Sequence, residues 1–212
     1  MAYRRTDRVI ARLAARQDAI LTAARTLAAE GGIGAVQIVP VAERAGIAAG
    51  TVYRYFPSKE DLVAAVIDAV ADQEIAALHA AATAAPGPLS AIAAAVMGFS
   101  TRALRERRLA WAMFAETAEG DTARLALRRR LASEFETLIR AAITAGHLPD
   151  QDAALAAAAV IGAVLESLVG PLAPDQTGAE ATRNATQTVT LFALRALGVV
   201  DARARGLVIS QG

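Results

Sequence analysis

Cysteine is absent from the 212-residue chain, and histidine occurs only at His79 and His147. Disulfides, thiolate metal sites, cysteine nucleophiles and multi-histidine clusters are thereby excluded, and with them most constellations on which enzymes build a mechanism. No catalysis, cofactor or metal site is expected. Aromatics make up only 4% of the residues, and few β-branched runs are long enough for a sheet. The longest apolar run, Ala153 to Leu165, is closed by Glu166 and falls short of the roughly 18 residues of a bilayer span, so it reads as a buried helix. The first residues, MAYRRTDRVIARLAARQ, are basic but lack an apolar segment with a small-residue cleavage site. No membrane association and a cytoplasmic location are the expectations.

What the chain has in abundance is alanine, roughly a quarter of its residues, within a hydrophobic share of 55%. That bias favours helix throughout and predicts an all-α protein with ample core. The formal net charge of +1 hides an uneven distribution: residues 1 to 62 carry +3 and the remainder −2. Five arginines (Arg4, Arg5, Arg8, Arg12 and Arg16) lie in the first sixteen residues, which read as a mobile basic arm suited to a polyanion or to solubility.

From about Arg12 the residues Leu13, Ile20, Leu21, Ala24, Leu27 and Ala28 recur at helical spacing and stop at Gly31-Gly32, marking a first helix. A short second helix runs from Ile38 through Val41, Ala42 and Ala45, with Gln37 as an indifferent cap and Pro40 tolerable in the first turn. After the turn Gly46-Ile47-Ala48 a third helix spans about Ala49 to Tyr55. Two helices this short cannot stand alone in water, and the pair joined by a glycine turn has the pattern of a helix-turn-helix.

At 100° per residue the third helix puts Ala49, Val52 and Phe56 on one narrow apolar stripe. Gly50, Thr51 and Arg54 fall opposite, with Tyr53 and Tyr55 at the flanks. Outward tyrosines do little for solubility, whereas phenols at each edge can reach the two phosphate backbones of a duplex while the middle enters the major groove. Gly50 lowers helix propensity by about 1 kcal/mol relative to Ala, offset if the backbone must approach the duplex closely. Ser58 then caps a fourth helix, with Asp61 near the capping-box position. Lys59, the sole lysine in the chain, stands in that helix's first turn against the dipole, a placement explained by a docked phosphate.

The segments ILTAARTLAAEGG and VAERAGIAAGTVYRYFPSKEDL, between about Ile20 and Leu62, resemble the DNA-binding region of the tetracycline-repressor (TetR) family of bacterial transcriptional regulators. The resemblance implies a homodimer, each subunit offering one helix-turn-helix to half of a near-palindromic operator on double-stranded DNA. It also implies a divergent helical C-terminal domain that dimerises and binds a small effector. It implies recognition-helix contacts by Thr51, Tyr53, Arg54 and Tyr55 and a phosphate contact by Lys59; Arg44, Ala49 and Gly50 complete the expected DNA-binding set. Three departures stand out. Val36-Gln37 and Ala48 replace the family's usual hydroxyl caps, and Ala49 takes a position often held by a cation.

The expected organisation is therefore residues 1–62 as basic arm and helix-turn-helix domain, and residues 63–212 as an all-helical ligand-binding and dimerisation domain. In the latter, helical patterns run from Lys59 to around His79, then over Leu89 to Arg107, Leu109 to Thr117, Thr122 to Ala145, Asp150 to Val169 and Gly178 to Leu197. The last two are the least polar. Ala154, Ala158 and Gly162 beside Ile161, Val164, Leu165 and Leu168, with Val189, Phe192 and Leu197 opposite, suit a four-helix dimer interface or an intramolecular core. Bulky residues in this alanine-rich region, Met97, Phe99, Trp111, Met113, Phe114 and Phe135, are candidates for an effector pocket. Glu116, His147 and Glu166 are its candidate polar anchors. The expected function is a DNA-binding regulator, more specifically a ligand-released repressor. The rival reading is a helical carrier of hydrophobic molecules with no DNA role, which needs neither outward tyrosines nor a lysine at a helix start.

Overall fold

The structure, a computed structural model, describes residues 2–115, 122–175 and 178–210, and all regular structure among them is helical. The chain divides into two compact units, residues 1–69 and 70–212, with the boundary inside a helix. The first unit holds α1 (Ala2–Gly31), α2 (Ile38–Arg44), α3 (Ala49–Tyr55) and the start of α4 (Lys59–Ala84). Helix α1 begins at Ala2, so the basic segment expected as an arm ahead of the helix is instead its opening turns. Arginine and alanine are good helix formers, and no breaker precedes Gly31. Leu13, expected on the packed face, stays exposed; packing begins at Ile20.

The core of this unit joins Ile20, Ala24 and Ala28 of α1 to Val41 of α2, Val52 and Phe56 around α3, and Leu62 and Val66 of α4, all buried. Between α2 and α3 the backbone turns at Gly46, whose φ of 65° lies in the left-handed region. The Ile47 amide donates to the Ala42 carbonyl at 2.9 Å and the Gly46 amide to the Glu43 carbonyl at 3.1 Å. This is a Schellman closure, and it needs glycine at the turning residue. Helix α4 starts on a reciprocal cap: the Asp61 amide donates to Ser58 Oγ at 3.0 Å, while the Ser58 amide and hydroxyl donate to Asp61 Oδ2 at 3.1 and 2.7 Å. By contrast, no side chain caps α2 at Gln37 or α3 at Ala48.

The second unit takes the rest of α4, then α5 (Pro88–Arg105), α6 (Arg107–Ala110), a π-helical turn at Trp111–Ala115, α7 (Thr122–Thr144), α8 (Ala153–Leu168), α9 (Ala179–Ala196) and α10 (Asp201–Ile209). Helix α5 is central, packing on α7, α8 and α9. Around it Ile92, Phe99, Leu131, Phe135, Ile139 and Leu194 are fully buried. Helix α8 opens one turn later than its pattern predicts, because Asp152 Oδ1 accepts from the Ala154 and Leu155 amides at 3.0 Å each and so serves as its cap. Contrary to the expectation of a buried helix, α8 is two-faced. Ala157, Val160, Ile161, Val164, Leu165 and Leu168 are buried, while Ala154, Leu155, Ala158 and Gly162 are exposed. An alanine-rich run carries no polar residues to mark its outer face. Helix α10 has no counterpart in the sequence pattern, since only Ala204 and Val208 are buried along it.

The uncapped start of α3 yields a prediction. Ala48 already has the extended backbone of a cap residue, φ −72° and ψ 143°, so Ala48→Ser adds an acceptor without strain. It is expected to stabilise the first unit by about 1 kcal/mol in urea unfolding; no gain would show that water already satisfies those amides.

Candidate nucleic-acid interface

Helix α3 is held by its inner face. Val52 and Phe56 are buried and Ala49 is half-buried, which fixes the direction of everything opposite them. Gly50, Tyr53 and Arg54 are exposed, Tyr53 by 53%, and Thr51 and Tyr55 are half-buried at the margins. The Arg54 guanidinium lies 5.9 Å from the centre of the Tyr55 ring, a cation–π arrangement that leaves its five donors unspent. Among the described residues, Tyr53, Arg54 and Lys59 form no hydrogen bond or ion pair within the chain. A Cβ added at Gly50 meets nothing within 4 Å, so packing inside the chain does not explain the glycine. Lys59 is half-buried in the first turn of α4 beside the Ser58–Asp61 cap. The outer surface of α3 thus combines phenols, a guanidinium and open space over its backbone.

Arg44 is differently employed. Its two terminal nitrogens donate to the two carboxylate oxygens of Glu30 at 2.9 and 2.8 Å, a fork that ties the last turn of α2 to the last turn of α1. The hydrogen bonds from Arg44, with its charge adding to them, hold the Glu30 carboxyl below its usual range against a smaller opposing effect of desolvation. The bond and charge of Glu30 in turn raise Arg44. Glu30 carries no local pattern that marks it. It pairs with a residue fourteen positions away on another helix, a relation that periodicity within one helix cannot reveal.

In the second unit the bulky candidates separate into two groups. Phe99, Met113, Phe114 and Phe135 are buried, with the Phe99 ring edge-on to Phe114 and Phe135 at centroid distances of 5.6 and 6.4 Å. They form packed core. Met97 and Trp111 are partly exposed, and His147 is exposed in the turn after α7. Glu116 lies outside the described residues. Glu166 alone of the candidates borders two cavities. One is a cavity of about 370 Å³ between α7 and α8, walled by Arg128, Arg129 and Gly162. The other is an open groove of about 890 Å³ between α8 and α9, walled by Leu172, Val189 and Phe192. Of the apolar stripes expected to face a partner, Ile161, Val164, Leu165, Leu168, Val189 and Leu197 are core. Phe192 (56%), Leu155 (69%) and Leu172 (81%) are exposed instead.

Two ion pairs and one hydrogen bond that sequence reading did not anticipate join the second half of α4 to α5 and α7. Asp72 meets Arg130 of α7 at 2.5 Å, Glu74 meets Arg102 of α5 at 2.9 Å, and His79 meets Glu134 of α7 at 2.6 Å. Arg130 of α7 is thereby engaged by α4. No helix among the described residues is long and apolar enough to cross a membrane.

Comparison with known proteins places these features. Residues 20–66 match the family model described as bacterial regulatory proteins, tetR family. Over 52 residues the chain is 52% identical to the HTH-type transcriptional repressor KstR of Rhodococcus jostii and 48% identical to KstR of Mycobacterium tuberculosis. Each alignment covers 24% of either chain, so the match spans about a quarter of the length of these curated relatives. Solved structures extend the likeness to nearly the whole chain. RolR in complex with resorcinol superposes with a TM-score of 0.67 at 25% identity, covering 91% of this chain and 92% of that one. FadR of Bacillus subtilis in complex with stearoyl-CoA gives 0.72 at 19% identity, over 86% and 98%, a likeness of fold. Over residues 20–66 the chain is thus similar to the bacterial regulatory proteins of the tetR family.

Proposed function

We propose that this protein is a sequence-specific DNA-binding regulator, a repressor that acts as a homodimer and leaves its operator when a small, largely apolar molecule binds the second unit. The observation that carries the reading is the two-sidedness of α3. Its apolar side is spent on Val52 and Phe56, and its outer side holds Tyr53 and Arg54 without polar partners among the described residues. In this reading Arg54 enters the major groove, where a guanidinium can pair with a guanine edge. Tyr53, Tyr55 and Lys59 reach phosphates on either side, with Thr51 and the bare backbone at Ala49 and Gly50 close to the duplex.

The dimer follows from what α8 and α9 leave uncovered. Leu155, Leu172 and Phe192 are apolar and exposed, and the last two border the open groove between those helices. A second copy laid against this surface removes it from water. Two reading heads then meet successive major grooves about 34 to 36 Å apart, and an effector that alters the spacing releases the DNA. RolR supports a small-molecule effector, since its structure is a complex with the ligand resorcinol. A carrier without DNA binding gains no support from the outer face of α3.

Four predictions test this reading. Gly50→Ala is expected to raise thermal stability slightly, because helix propensity improves by up to about 1 kcal/mol and the added methyl meets nothing. It should nonetheless weaken binding to a selected operator duplex; equal or tighter binding would show that the backbone does not approach DNA. Tyr55→Ala or Lys59→Ala should weaken binding to every duplex alike; Lys59→Ala should also lower the salt slope by roughly two units per dimer, about 0.9 for each phosphate no longer neutralised, whereas loss of the uncharged Tyr55 should leave the slope unchanged. Arg54→Ala should instead flatten the preference among bases, and unchanged selectivity would place base reading elsewhere. Phe192→Glu puts a charge on an exposed side chain, so the fold should survive. The subunit dissociation constant in sedimentation should rise roughly tenfold or more, and an unaltered dimer would move the interface off this surface.

A further inference from the structure

Arg44 sits on the helix-turn-helix, is a cation, and is more than a third exposed, all of which suit a phosphate contact. Its side chain is nevertheless committed elsewhere. Both terminal nitrogens donate to one carboxylate, at 2.9 and 2.8 Å, in the planar fork geometry that only a guanidinium provides. The carboxylate is Glu30, in the last turn of α1, directly before the glycines that end the helix. An anion at a helix C-terminus opposes the macrodipole, so Glu30 is out of place unless a nearby cation compensates it. Arg44, in the last turn of α2, has the sign its own helix end favours, and it meets the anion that its neighbour's end disfavours.

What surrounds the pair gives it a purpose. Helix α2 has seven residues and no side-chain cap at Gln37; α3 has seven and none at Ala48. Neither holds itself in place, and the chain leaves Arg44 for the Gly46 turn that sets the direction of α3. The end of α2 is thus the hinge point of the reading head.

We propose that Arg44 is a positioning residue rather than a DNA contact: with Glu30 it clasps the end of α2 to the end of α1 and so fixes the angle at which α3 is presented. The assignment rests on the nucleic-acid reading of α3 for its consequence, and on the first unit alone for its geometry. It divides the three cations between α2 and the start of α4 into Arg54 and Lys59, free for the duplex, and Arg44, used internally.

The test uses the full-length protein and a duplex selected from a random pool by the wild type, with dissociation constants measured across a salt series for Arg44→Ala, Glu30→Ala, the double variant and Arg44→Lys. Amide exchange over residues 45–56 is followed in parallel. The clasp predicts that either alanine variant weakens binding by roughly fivefold, near the upper end for an exposed pair. The double variant should be no weaker than the worse single, the salt slope should stay unchanged, and exchange over 45–56 should quicken in all three. Arg44→Lys should recover only part of the loss, because an ammonium cannot span two oxygens, whereas it would serve a phosphate nearly as well. A phosphate contact predicts the reverse pattern. Arg44→Ala then lowers the slope by roughly two units per dimer, Glu30→Ala binds equally or more tightly, and exchange over 45–56 does not change; that result would overturn the clasp. If the wild type selects no duplex, the DNA reading fails by itself, and the exchange rates still decide whether Glu30 and Arg44 hold the turn.

Discussion

The seating of Val52 and Phe56 in the core of the first unit is the constraint from which the functional surface follows. A seven-residue helix has no independent stability in water, and α3 has no side-chain cap to help it. Its helical state therefore comes from burying one narrow stripe, which leaves the opposite stripe free of any structural duty. On that stripe stand Tyr53 and Arg54, whose polar groups find no partner among the described residues. The face is available for recognition because the other face carries the fold.

The same economy of stabilising devices runs through the domain. Where caps are strong, as at Ser58–Asp61 and Asp152, helices begin cleanly on satisfied amides. Where they are missing, at Gln37 and Ala48, other elements hold the segment: the Schellman closure at Gly46 and the Arg44–Glu30 fork. Glu30 is kept ionised by those hydrogen bonds, so its folded carboxyl lies below its unfolded value. The pair's contribution is then fully present above the unfolded carboxyl range and fades as pH falls through the folded one. Solvent exposure of both partners keeps that contribution small.

The second unit is organised around a different principle. Its large side chains, Phe99, Phe114 and Phe135 above all, meet edge to face at the centre, and its alanine-rich helices are held close by small contacts around them. Alanine lets helices approach but marks no face, so α8 is both a core element and an exposed apolar surface. Polar pairs at Asp72, Glu74 and His79 link the later turns of α4 to α5 and α7.

Much of this was legible without coordinates. Glycine stops at Gly31 and Gly46, the Ser58 cap, and the stripe of Ala49, Val52 and Phe56 are local features, written within one or two helical turns. The bounds of α2 and α3 and the outward face of α3 could therefore be read from spacing alone. Tertiary structure decided the relations that join distant positions. It paired Arg44 with Glu30, put the basic opening residues into α1, turned Ile161, Val164, Leu165 and Leu168 inward, and closed Phe99, Phe114 and Phe135 into core. The physical reason is that propensity, capping and amphipathicity act along the chain over a few residues. Which of several apolar faces is covered, and which charge meets which, depends on what the rest of the chain brings alongside.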